Sequence, residues 1–213
     1  MRQLIVLVVV LCAVVAVLGG VTSRAVGQGM MPDASVKSVD LRLAVRDLLV
    51  GHIFWTRAAM IATRRGDSAS ARVADQKARE NARAIGQAFV PFYGQQAGDK
   101  LSTLFGGHYA GIRQYEAAAF AASETRRKAA VAVIGKNADE LAGLLSSANP
   151  NLPRDTVRSL LGGHAGHHVA AIEAIAKRDA AREAAVWDQM RVHIYMIADA
   201  ISGAVVKQFP DKF

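Results

Sequence analysis

Apolar residues recur along this chain with the 3.6-residue period of a helix, in six stretches that fall into three matching pairs. The first member of each pair contains Leu48-Leu49-Val50-Gly51-His52, Leu104-Phe105-Gly106-Gly107-His108 or Leu160-Leu161-Gly162-Gly163-His164. The same face continues through Trp55 and Ala59, Ile112 and Tyr115, or His168 and Ile172. The second member carries Asn81, Ile85, Ala88 and Phe89, then Asn137, Leu141, Leu144 and Leu145, then His193, Ile197, Ala200 and Ile201. His52, His108 and His164 stand at equal intervals of 56 residues, and so do Asn81, Asn137 and His193. The pattern predicts an all-α fold of six helices, arranged as three antiparallel hairpins from a 56-residue internal repeat.

Turn chemistry sets the ends of these helices. Arg64-Arg65-Gly66-Asp67 reads as cationic last-turn residues, a left-handed glycine and an N-cap for the next helix. Capping accounts for this Arg-Gly-Asp without an adhesion role. Ser123 and Asp179 occupy the equivalent cap positions. Pro91-Phe92-Tyr93-Gly94 and Asn149-Pro150-Asn151-Leu152-Pro153 break the chain between hairpins, and Phe209-Pro210 ends the last. The glycine pairs lie inside helices, where they permit close approach by a neighbour at a cost of about 1 kcal/mol each. Hydrophobic periodicity alone leaves a closed bundle and a short solenoid both open.

Before the helical region comes an unbroken apolar run, Leu4 to Val21, preceded by Arg2 and followed by small residues near Ala25 and Gly27. It reads as a signal peptide or membrane anchor over residues 1–28, with a linker at 29–39 and the helical repeat domain at 40–213. The expected location is therefore the bacterial envelope, either periplasmic or tethered to the inner membrane. Cys12, the one cysteine, lies in that run, so the helical domain has no disulfide and no cysteine ligand. Abundant alanine and a scarcity of β-branched runs after residue 30 agree with helices.

His52 lies 15 residues before Asp67 and Asn81 lies 14 after it, so at about 1.5 Å per residue both sit roughly 21 to 22 Å from the turn. The preferred reading pairs His52 with Asn81 and His108 with Asn137 across their hairpins, satisfying polar groups and fixing register. A closed bundle would instead bring the pairs to a common axis. The third hairpin differs: His193 replaces Asn, and His164, His167 and His168 share one helix face. Neutral imidazoles at i and i+4 hold transition metals, and Met190 and Met196 flank His193 with thioethers that suit copper. The candidate metal ligands are accordingly His164, His167, His168, His193, Met190 and Met196, with copper or zinc as the ion. Haem between His164 and His193 is the variant, without a Cys-x-x-Cys-His to attach it.

Enzymatic signatures are thin. Glu116 and Glu173 follow their histidines by eight and nine residues, out of step with each other, and read as solvated charges. No serine has the surroundings of a nucleophile. Of the net charge of +8, Arg2 and Arg24 contribute two, and the rest is conspicuous at Arg64-Arg65, Arg126-Arg127-Lys128 and Lys177-Arg178, near the turns. No aromatics interleave those cations for base stacking, so nucleic acid is set aside in favour of an anionic membrane surface or acidic envelope polymer.

His52-Ile53-Phe54-Trp55-Thr56-Arg57, Pro91-Phe92-Tyr93-Gly94 and Lys207-Gln208-Phe209-Pro210 resemble segments of an uncharacterised group of bacterial helical proteins, over about residues 40 to 213. The resemblance implies an all-helical fold and transfers no catalytic residue. The sequence is thus read as a non-catalytic binding or scaffolding protein of the envelope, with metal or haem binding by the third hairpin as the alternative.

Overall fold

The computed structural model describes residues 36–213, and the expected signal or anchor segment lies outside them. Every regular element among the described residues is helical: α1 (Val36–Arg65), α2 (Ser68–Gln87), the single turn α3 (Val90–Tyr93), α4 (Gln95–Phe120), α5 (Glu124–Ala148), α6 (Arg154–Lys177) and α7 (Ala180–Gln208), then a 3-10 turn at Pro210–Lys212. None of these helices is long and apolar enough to cross a membrane.

Tight turns fold α2 back on α1, α5 on α4 and α7 on α6. Asp67 and Asp179 cap α2 and α7, accepting hydrogen bonds from Ser70 N and Arg182 N at 3.0 and 2.9 Å. Ser123 precedes α5 in an extended conformation, but its side chain makes no capping bond, contrary to the sequence reading. Each preceding helix closes through a residue at positive φ: Gly66 at 78°, Ala122 at 52° and Arg178 at 58°. These three also stand 56 residues apart.

The hairpins close on one another. α2 packs between α1 and α4, α5 between α4 and α6, and α7 between α6 and α1, while α1, α4 and α6 also touch each other along the centre. The described residues therefore form a closed bundle, and the solenoid alternative is excluded by the return of α7 to α1. Packing the apolar stripes of three central helices against each other and against three outer ones takes those stripes out of water.

Successive turns of α1, α4 and α6 place matched residues in the interior. Val45, Leu101 and Val157, then Leu49, Phe105 and Leu161, are buried on the side of the inter-hairpin connections. Met60, Ile112, Tyr115, Ile172 and Ile175 form a second apolar cluster toward the hairpin turns. His52, His108 and His164 fall between these two clusters. Apolar side chains thus shut off the histidines at both ends.

A buried four-histidine centre

The central histidines meet. His52, His108 and His164 have ring centroids 5.5, 5.6 and 5.5 Å apart, close to an equilateral triangle. His168, one turn beyond His164 on α6, lies 5.5, 5.9 and 4.5 Å from the rings of His52, His108 and His164. One nitrogen from each of these four residues lies within 4.8 Å of the others. All four side chains are 1 to 3% exposed.

Their hydrogen bonding is incomplete. Among the described residues neither nitrogen of His52 or His108 has a hydrogen-bond partner, and Nδ1 of His164 has none. The one contact inside the cluster is between Nε2 of His164 and Nε2 of His168, at 3.1 Å. A buried donor or acceptor left unpaired costs about 1–3 kcal/mol, so this arrangement is expensive as a mere core. Burial also keeps the rings neutral. It lowers the pKa of His52 to about 3, reinforced by His108, and that of His108 to about 4, with the Asn137 side chain acting in the other direction. His164 and His168 are driven well below the ordinary histidine value by the same loss of solvent and by neighbouring imidazoles.

The asparagines hold the backbone of the central helices. Asn81 Nδ2 donates to the carbonyl of Leu48 at 2.9 Å, and Asn137 Nδ2 to that of Leu104 at 2.9 Å. In the third hairpin, His193 Nε2 reaches Leu160 O at 2.8 Å. Each clamped carbonyl lies one turn before the central histidine. The bond each asparagine makes is thus a side-chain clamp on the central helix backbone through Nδ2, which leaves Oδ1 on the same amide. Glycine makes the approach possible. A Cβ at Gly51 would stand 2.9 Å from Asn81 Nδ2, at Gly107 3.2 Å from Asn137 Nδ2, and at Gly163 3.1 Å from His193 Cε1. Gly106 and Gly162 face open space, so only the second glycine of each pair is required.

Of the candidate ligands read from sequence, the fold brings together His164 and His168. His167 and His193 lie outside this centre and contact each other, with ring centroids 5.2 Å apart. Met190 is buried in the apolar cluster beside the connections, and Met196 is 55% exposed. His52 and His108, read as structural, complete the cluster. Their common spacing with His164 was the signal that could have found them, once the bundle was known to close.

Ion pairs tie the outer helices in place. Arg57 donates to both carboxylate oxygens of Glu183 at 2.5 and 2.7 Å, and Arg46 holds Asp199 at 2.7 and 2.5 Å, joining α1 to α7 twice. Glu116 is not the solvated charge expected: it is buried, paired with Arg113, and its pKa is raised by burial against that pairing. Glu173 accepts from Tyr115 and Arg127 at 2.9 and 3.2 Å. Of the cations near the turns, Arg127 is held by Glu124 and Glu173, and Arg64 donates to Ala176 O at 3.0 Å.

The chain matches no protein-family model, no curated protein and no solved structure.

Proposed function

We propose that this chain is a non-catalytic transition-metal-binding protein of the bacterial envelope, built by triplication of a 56-residue helical hairpin. His52, His108, His164 and His168 would hold one zinc or copper ion. The observation that carries this reading is the convergence of four neutral, buried imidazoles whose nitrogens are largely unpartnered.

Ligand chemistry fits. Zinc takes imidazole nitrogen at about 2.0–2.1 Å, which puts the corners of a tetrahedron roughly 3.3 Å apart. The 3.1 Å between Nε2 of His164 and Nε2 of His168 is already close to one such edge. The remaining corners need modest side-chain rotation from the 4.8 Å limit. Proton competition is weak, since low pKa values leave lone pairs free at neutral pH. Four protein ligands and apolar walls leave no open position for substrate, which favours storage, sensing or structural stabilisation over catalysis. Haem between His164 and His193 fits less well, because Nε2 of His193 is engaged by the Leu160 carbonyl and His164 is packed among the other three central rings.

The test is a competition titration of tag-free protein, stripped with chelator, against zinc and copper. One ion per chain bound tighter than about 10 μM is expected, with a rise in thermal midpoint on loading. Weaker binding, or binding unaffected by His52→Leu with His108→Leu, would defeat the proposal.

A further inference from the structure

We infer, on the reading of the four-imidazole centre as a metal site, that His167 and His193 form a second, outer two-imidazole site through which a transition-metal ion passes on its way to the buried ligands.

The case rests on what His193 adds to its hairpin. Asn81 and Asn137 clamp the Leu48 and Leu104 carbonyls with a single N–H, and His193 performs the same task on Leu160 O. An asparagine would therefore serve the clamp equally well in the third hairpin. Imidazole differs in having a second nitrogen. Because the carbonyl of Leu160 accepts from Nε2 of His193, Nδ1 is the nitrogen left for a ligand. A metal-binding histidine commonly has this arrangement, one nitrogen donating to a backbone carbonyl while the other faces the ion.

A second imidazole stands ready beside it. His167 packs against His193 at 5.2 Å between centroids, with the planes at 61°. Both rings are only partly buried, whereas the four central ones are shut between apolar layers. His167 also adjoins His168 in the chain, and His193 bears on Gly163, the residue before His164. The outer pair thus sits on the same turn of α6 that carries the two ligands it gives to the centre. At the positions matching His167, α1 has Trp55 and α4 has Gly111, so neither of the other hairpins offers such a pair. Passage is ligand exchange between imidazole nitrogens, and the ion keeps its oxidation state throughout.

A transit site and a structural site differ in kinetics. Zinc transfer from a fluorescent indicator complex to stripped, full-chain protein is followed by stopped flow for the wild type, His193→Asn and His167→Gln. The clamp is preserved in His193→Asn, and His167→Gln leaves the clamp untouched, so each protein is expected to fold. Loading should slow by ~10-fold or more in both variants, and release to excess chelator should slow by the same factor. Stoichiometry and equilibrium affinity should then be unchanged. Wild-type loading rates in both variants would overturn the transit site, as would affinity falling with loading. Failure of the wild type to take zinc would instead overturn the buried centre, and the transit site with it.

Discussion

The first two hairpins and the third perform one structural task with different chemistry. In the first two, an amide grips the central helix one turn before its histidine, and nothing further on that outer helix addresses the centre. In the third, an imidazole grips the same carbonyl, a second imidazole packs against it, and a third, His168, joins the buried cluster. Thr56 and Ile112 occupy the positions matching His168 in α1 and α4. The clamp is common to all three hairpins, while the additional nitrogens are concentrated in one. The shared clamp explains the fold, each hairpin gives one histidine to the centre, and the third adds the nitrogens that the other two lack.

The comparison is broken most severely at the central rings. His52→Leu or His108→Leu should reduce zinc affinity by ~100-fold or more, since a ligand is lost rather than an outer contact. The same change should leave metal-free protein as stable as before, or raise its stability by about 1–3 kcal/mol, because both nitrogens of either ring are unpartnered in the core. His164→Leu should fare worse without metal, since it strands the Nε2 of His168. Chemical unfolding of stripped protein beside the competition titration reads both quantities. Loss of stability in all three variants alike would make the rings structural.

Acid should act next most strongly. The folded-state pKa values of His52 and His108, about 3 and about 4, lie below the ordinary 6.5, so the unfolded chain takes up protons that the folded chain refuses. Stability is then complete above about pH 6.5 and falls as the pH drops toward 4 and 3, by about 1.4 kcal/mol per pH unit for each histidine across that window. Urea unfolding of chelator-treated protein between pH 7 and 5 measures the slope. A flat profile would mean that the rings are solvated or hydrogen-bonded in solution.

Smaller effects distinguish the clamps. Asn81→Ala should cost about 1–2 kcal/mol by releasing the Leu48 carbonyl, and Asn137→Ala the same for Leu104. His193→Asn, which restores the amide of the other hairpins, should change stability by less than about 0.5 kcal/mol. Thermal midpoints of the three variants, without metal, give the ranking. A large loss for His193→Asn would mean that the imidazole clamp is more than a substitute.

Much of this architecture was legible in the residues. Equal spacing of His52, His108 and His164, with caps at Asp67 and Asp179, was sufficient for three hairpins, because helix period and turn chemistry are local properties. Closure of the bundle was not legible, since whether α7 returns to α1 depends on how wide the apolar stripes are and how the helices cross. That one tertiary fact decides the site. Without it His52 and His108 read as partners of Asn81 and Asn137; with it they face His164. The clamp was missed for another reason: Gly51, Gly107 and Gly163 carry its signature at the same spacing, but glycine shows where something approaches without saying what. Glu116 was misjudged because its partner Arg113 lies three residues back on the same helix and turns inward with it.

The smallest expected effect lies at the hairpin turns, where all three hairpins can be compared on equal terms. Gly66 adopts its positive φ without a steric penalty, whereas Ala122 and Arg178 hold a left-handed conformation that costs an L-residue roughly 1–2 kcal/mol. Replacing either by glycine removes that strain but gives the unfolded chain more freedom, which returns about 0.4–1 kcal/mol. Ala122→Gly and Arg178→Gly should therefore each stabilise the protein, by about 0.5–1 kcal/mol. Ala122 is the cleaner test, since only a methyl group is lost. Gly66→Ala should do the reverse. Thermal unfolding of the three variants, with metal removed, reads the sign directly: stabilisation at 122 and 178 with loss at 66 means that one turn geometry serves all three hairpins, and destabilisation at 122 would mean that this turn is not left-handed in solution.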